Sequence, residues 1–173
     1  MMGNHSFAFF TKERDREYLR RTIALAESAV AHGNTPFGAI LVGPDGAVLM
    51  EQENTEMTCH DCTAHAETAL VRRASGLYSK GFLAGCSLYT SVEPCAMCAG
   101  AIYWSGIGRV VFGLSEERLL EITGNDPRNP TMHLPCREVF ARGQRPVEVV
   151  GPFAEMKAEL EAVHMQYWGS ASQ

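Results

Sequence analysis

The chain has 173 residues, 46% of them hydrophobic, with a formal net charge of −5. That length suits one compact domain with a two-sided core, and no apolar run reaches the length of a membrane span. The negative balance speaks against a nucleic-acid partner, which calls for a basic face to meet phosphates.

Met1 to Thr11 holds a brief Phe7-Ala8-Phe9-Phe10 cluster with no basic segment before it, so it does not read as a signal peptide. Glu13 to His32 carries helical periodicity, with Leu19, Ile23, Ala26 and Val30 on one side and Gly33 as a stop. Arg14, Arg16, Arg20 and Arg21 begin a basic stripe on this helix. Glu13, Asp15 and Glu17 are interleaved with them, which makes the segment a solvated face. Phe37 to Val42 and Ala47 to Met50 read as strands joined by the turn Gly43-Pro44-Asp45-Gly46.

Glu53 to Thr63 is polar and has no period, so a loop is expected. Ala64 to Ala74 is a helix ending near Gly76, and Ser87 to Ser91 is a short strand. Cys95 to Trp104 is a helix, with Pro94 suited to its start. Arg109 to Phe112 is a strand. Ser115 caps a helix to Ile122, with Glu116 and Glu117 in its first turn. Thr123 to Pro135 shows no pattern, Glu138 to Arg142 is at most a short helix, and Val147 to Val150 is the last strand. Phe153, Met156, Leu160, Val163 and Tyr167 then recur at helical spacing, with Trp168 one residue past the stripe. Strands alternating with helices predict an α/β fold: a three-layer α-β-α sandwich around a mixed sheet of about five strands. The helix between the last two strands allows them to run parallel. No repeat or second domain is visible, so the expectation is a single domain over 1–173 with its core at about 13–168.

Two short motifs carry the chemistry: His65-Ala66-Glu67, then Pro94-Cys95-Ala96-Met97-Cys98. One imidazole and two thiolates supply three zinc ligands, His65, Cys95 and Cys98. Three protein ligands leave a fourth position for water, which marks a catalytic rather than a closed structural site. Both motifs fall on the first turn of a helix, and the positive ends of two helix dipoles favour thiolates and an oxyanion there. Zinc brings the pKa of bound water toward ~7, and Glu67 is the right type and reach to move protons to and from it. A histidine-x-glutamate joined to a proline-cysteine-x-x-cysteine is the general signature of zinc nucleobase deaminases. The competing reading is a zinc-stabilised interaction module, which would have no need of Glu67. Cys59-His60-Asp61-Cys62 repeats the cysteine spacing outside any redox-motif context and reads as two loop thiols. Cys86 and Cys136 read as packing residues. Thiolates committed to metal suggest a reducing compartment, and a cytoplasmic location is expected.

The segments 34–39, 60–67, 93–102 and 108–113 resemble the cytidine deaminase superfamily, in particular the branch of guanine, cytosine and tRNA adenosine deaminases. The likeness runs from about Tyr18 to Val150. The family pattern has a proline where this chain has Cys62. The resemblance implies the cytidine deaminase-like fold, hydrolytic deamination with zinc, and a homodimer paired near the cysteine helix. It implies that Asn54 hydrogen-bonds the base, that Phe37 packs against it, and that the backbone N–H of Cys95 steadies the tetrahedral centre. Ala101-Ile102-Tyr103-Trp104 is similar to guanine deaminases, which makes Trp104 a substrate-side candidate, and Asp126 falls where these enzymes carry an acid for the purine. The expected substrate is a small base, a guanine-like purine before cytosine or an aminotriazine, with tRNA adenosine deamination as the alternative. Arg128, Asn129 and His133 lie in a loop with no familiar counterpart. Tyr167 and Trp168 are either a lid over the site or the end of the core.

Overall fold

Alternate residues of a strand point to opposite faces of a sheet, and here that alternation separates two apolar layers. Ala39, Leu41, Leu88, Val110 and Phe112 enter one cluster, while Ile40, Val42, Tyr89 and Val111 enter the other. The computed structural model describes residues 7–169. The strands are β1 (Gly38–Val42), β2 (Val48–Glu53), β3 (Ser87–Val92), β4 (Arg109–Leu114) and β5 (Glu148–Val150). They form one sheet in the order β2-β1-β3-β4-β5. β1 runs antiparallel to β2 and β3, and β3, β4 and β5 are mutually parallel.

The helices are α1 (Lys12–Ala31), α2 (Glu56–Cys59), α3 (Ala66–Leu77), α4 (Lys80–Leu83), α5 (Ala96–Ser105), α6 (Glu116–Thr123), α7 (Cys136–Ala141) and α8 (Lys157–Gly169). Residues of α3, α5 and α7 fill the first cluster, and residues of α1, α6 and α8 fill the second. The three-layer α/β sandwich with a five-stranded mixed sheet is therefore the observed architecture. At Gly38 α1 lies close against the sheet: a Cβ there would lie 2.5 Å from the Thr22 carbonyl oxygen. Glycine is needed at such an approach.

Tertiary packing moves several boundaries. The expected loop 53–63 contains the one-turn helix α2, and α4 has no apolar period to announce it. Ser115 caps α6 as its sequence suggests, accepting from the Arg118 N–H at 3.2 Å. The buried stripe of α8 is Leu160, His164 and Trp168, continuing Phe153 and Met156. Trp168 is thus on the stripe rather than past it, because a histidine takes an inward position that apolar counting assigned to Val163. The arginines of α1 behave as a solvated face, with Arg16 pairing Glu155, Arg20 pairing Glu159 and Arg21 pairing Glu51. Asp15 turns inward instead. Both its carboxylate oxygens accept from Arg109, at 3.0 and 2.7 Å, and Oδ1 also accepts from the Tyr89 hydroxyl at 2.6 Å. Removing one partner of such a buried pair would strand a charge, which costs more than the pair itself contributes.

Candidate metal centre and catalytic cavity

His65 is the N-cap residue of α3 and Cys95 that of α5, while Cys98 lies in the first turn of α5. All three sit beyond the carboxyl ends of the parallel strands, the usual place for a site in an α/β sheet. Their ligand atoms lie within 4.8 Å of one another. Nδ1 of His65 is 3.7 Å from the Cys95 sulfur and 3.6 Å from the Cys98 sulfur. Zinc bonds of ~2.3 Å to sulfur and ~2.0 Å to nitrogen, at a tetrahedral angle, separate those atoms by about 3.5 Å. The donor set and its spacing therefore fit zinc.

The surroundings favour a Cys95 thiolate beside a protonated imidazole, while the contact with Cys95 and burial push the Cys98 thiol up. The contact from Cys98 pulls the Cys95 thiol down to about 4, aided by the imidazole, and the contact with Cys95 raises His65 to about 9. Thr68 donates its hydroxyl to the Cys98 sulfur at 3.2 Å. On the far side of the imidazole, Nε2 faces the Glu56 carboxylate at 3.8 Å. At that distance the carboxylate acts on the ring through its charge and not through a hydrogen bond.

Glu67 is buried in the first turn of α3. Its Oε1 is bonded to the Thr90 hydroxyl at 3.0 Å and its Oε2 lies 3.6 Å from the Cys98 sulfur. Burial, with the nearby Cys95 charge second, pushes its carboxyl above the ordinary range. Glu93 braces the floor: its two carboxylate oxygens accept from the backbone N–H groups of Glu116 at 3.1 Å and Cys136 at 3.0 Å. One side chain thereby ties the starts of α6 and α7 to the cysteine turn. Thr68, Thr90, Glu56 and Glu93 escape sequence reasoning because their roles come from contacts across the fold. Only Glu93 carries a local hint, as the residue before Pro94.

A cavity of about 290 Å³ opens over these groups. Phe37, His65, Glu67 and Cys95 line it, as do Glu56, Glu116 and the loop residues Arg128, Asn129 and Thr131. Cys62, the departure from the family pattern, also lines it, whereas Cys59 is exposed at the end of α2. Asn54 is not among the lining residues and is buried just ahead of the α2 start. Its Oδ1 accepts from the Glu56 N–H at 2.9 Å, and its Nδ2 has no partner in the protein.

Two expected substrate residues are elsewhere. Trp104 is 72% exposed and lines a separate depression with Tyr78 and Lys80. It sits on the outward side of α5, because the helix turns Ile102 and Ala99 inward. Asp126 lines another depression, beside Trp168. Its carboxylate is engaged by the Arg128 guanidinium, with Nε 3.0 Å from Oδ1 and 3.1 Å from Oδ2, so it is not offered to the cavity. His133 is exposed and takes no part in the metal cluster. Cys86 and Cys136 are buried, as packing residues should be.

Comparison with known proteins agrees with this geometry. The family model of the cytidine and deoxycytidylate deaminase zinc-binding region matches residues 12–114. A probable cytosine deaminase of Schizosaccharomyces pombe is 42% identical over 158 residues, covering 90% of this chain and 93% of that one. A tRNA-specific adenosine deaminase of Haemophilus influenzae is 39% identical over 104 residues, 60% of each chain. The X-ray structure of guanine deaminase from Bacillus subtilis superposes with a TM-score of 0.58 at 31% identity, covering 93% of this chain and 95% of that one. With its zinc-ligand triad, its five-stranded sheet and these relatives, the chain belongs to the cytidine deaminase family of zinc-dependent hydrolytic deaminases.

Proposed function

We propose that this deaminase acts on a small free nucleobase or related amino-heterocycle, a guanine-like purine before cytosine or an aminotriazine. The observation that carries the reading is the residue make-up of the cavity wall. Glu56, Glu67, Glu93 and Glu116 line it, against the single guanidinium of Arg128, which Asp126 already neutralises. Such a wall offers carboxyl acceptors to neutral, N–H-rich rings and, apart from the metal site, no free cation to a phosphate. Phe37 offers the ring a face, and Asn54 Nδ2 is a buried donor awaiting an acceptor.

Zinc held by His65, Cys95 and Cys98 would supply Lewis acidity and an activated water. Glu67 takes a proton from the attacking water and returns protons to the ring nitrogen and the departing amine. The backbone N–H of Cys95 steadies the developing tetrahedral centre. Water adds to the amino-bearing carbon, the carbon–nitrogen bond breaks, and ammonia leaves.

The expected assembly is a homodimer of single-domain subunits. α5 is apolar on its outward side too: Trp104 is 72% exposed, and a Cβ on Gly100 would meet nothing within 4 Å. A helix apolar all round is normally buried, and a second copy would bury this one. Among the described residues no helix is long and apolar enough to cross a membrane. The unpaired cysteines suit a reducing compartment, and a cytoplasmic location is inferred from them.

The deciding experiment is ammonia release from a panel of aminopurines, aminopyrimidines, aminotriazines and their nucleosides. Turnover of free bases over nucleosides is expected. Activity confined to tRNA would overturn the reading in favour of adenosine editing, which the Haemophilus influenzae relative keeps as the alternative.

A further inference from the structure

The cavity holds one carboxyl that the fold does not use. Glu116 is the first residue of α6 and is 6% exposed. Its backbone N–H is taken by Glu93, but its side-chain Oε2 is buried without a hydrogen-bond partner. The neighbouring acids differ. Glu93 accepts from two backbone N–H groups, Glu67 is bonded to Thr90, and Glu56 faces His65. An unpaired buried carboxyl is costly, and apolar packing would fill the same space at less expense. Buried polar atoms left unsatisfied in a cavity call for a partner from outside the chain. Glu116 shares its wall with Phe37, His65, Glu67 and Cys95, so a substrate in the cavity would lie beside it.

We propose that Glu116 is a specificity-determining residue whose carboxyl receives a second N–H edge of the substrate, distinct from the amine that leaves. The proposal rests on the deaminase reading above and narrows it. The substrate is an amino-heterocycle with N–H groups on two edges, such as a diamino ring or an aminolactam. A ring with only acceptors on that edge would forgo this N–H contact. Asp126, the acid expected to read the base, is held by Arg128, whereas Glu116 has its own carboxyl oxygen to offer.

The test uses the zinc-loaded full chain and two matched pairs: 2,4-diaminopyrimidine against 4-aminopyrimidine, and 2,6-diaminopurine against 2-aminopurine. Binding is measured by calorimetry in the Glu67→Ala background, and ammonia release in the parent. The two-edged member should be preferred by roughly tenfold or more, since a site built for an N–H group rejects the analogue lacking it. Glu116→Leu should reduce that preference to about threefold or less, with a melting temperature equal to or above the parent's. Glu116→Gln, which keeps one acceptor and the shape, should fall between. An unchanged preference in Glu116→Leu would overturn the role of Glu116 while ammonia release still supported the deaminase reading. Binding preference lost in Glu116→Leu without ammonia release from any base would do the reverse. Absence of both binding and release would overturn both.

Discussion

The hydroxyl of Thr90 stands 3.0 Å from Oε1 of Glu67 and 3.0 Å from the carbonyl oxygen of Val92. A hydroxyl has one proton to give and lone pairs to receive. It donates to Glu67 when that carboxyl is ionised. When Glu67 carries a proton, Thr90 turns to the Val92 carbonyl and accepts instead. Thr90 is therefore a positioning residue that suits a shuttle in both of its states. Thr90→Val should lower kcat by about tenfold, the worth of one buried hydrogen bond, with KM and zinc content little changed. Thr90→Ser should recover most of the rate. Equal kcat in Thr90→Val and the parent would remove Thr90 from the mechanism.

Zinc content and turnover should separate cleanly at two neighbouring residues. Cys98→Ala removes a ligand and the acceptor of the Thr68 hydroxyl, and should lose metal and melt at lower temperature. Glu67→Ala should keep zinc and fold but lose at least about a hundredfold in kcat. Metal analysis of both variants beside ammonia release makes the distinction. Full zinc occupancy in Cys98→Ala would contradict the ligand set.

The ligands and Glu67 are legible in the sequence because zinc chemistry fixes residue types at short spacing on two helix starts. The layers are legible too, since the strands alternate between two faces and the helices have clear stripes. The differences between expectation and structure have separate causes. Trp104 lies on a helix that is apolar on every side, so its sequence cannot say which side faces the cavity. Asp126 is withdrawn by an arginine two residues on, a local pairing that composition does not reveal. Glu116 reads as an acid stabilising a helix start, and only the tertiary fold places it in the cavity wall. His164 hides the true stripe of α8, because a buried histidine counts as polar in any periodic scan.

Trp104→Glu should convert the protein from a dimer to a 19.0 kDa monomer in sedimentation. The exposed indole lies outside the cavity, so the mechanism itself gives no reason for it to be tryptophan. A charge at the centre of an apolar interface is strongly disfavoured. A parent that sediments only as a monomer at micromolar concentration would refute the assembly.

Tyr167 and Trp168 should divide between two roles. Trp168 is 4% exposed and its Nε1 donates to His164 Nδ1 at 3.3 Å, so it is core. Trp168→Ala should cost ~3–5 kcal/mol of stability. Tyr167 is half-buried and, like Trp168, lies under the Arg128 guanidinium, which itself lines the cavity. Tyr167→Ala should therefore raise KM by a few fold with little loss of melting temperature. A large melting loss with unaltered kinetics would place Tyr167 in the core as well.

His164 should make the fold acid-sensitive. It is 1% exposed, its Nε2 has no partner, and its ring packs against Phe37 with centroids 5.3 Å apart. Burial lowers its pKa from the ordinary 6.5 to about 4. Between those values the unfolded chain binds a proton that the folded chain refuses, so stability falls as pH drops. Above pH 6.5 both states are neutral and His164 contributes no pH dependence. Down to pH 4 the accumulated loss is about 3 kcal/mol, since each pH unit between the two values costs ~1.36 kcal/mol. His164→Gln keeps an acceptor for the Trp168 N–H but cannot be protonated in this range. Its melting temperature should decline less steeply than the parent's from pH 6.5 to 4, and metal loss in acid, common to both proteins, cancels in the comparison. The Phe37 contact adds a functional consequence. A proton on His164 would loosen α8 from the residue that walls the cavity, so KM should rise in the parent only as pH nears 4, where the folded chain takes up that proton, and not in His164→Gln. Parallel melting curves for the two proteins across that interval would show that the buried imidazole does not govern the acid response.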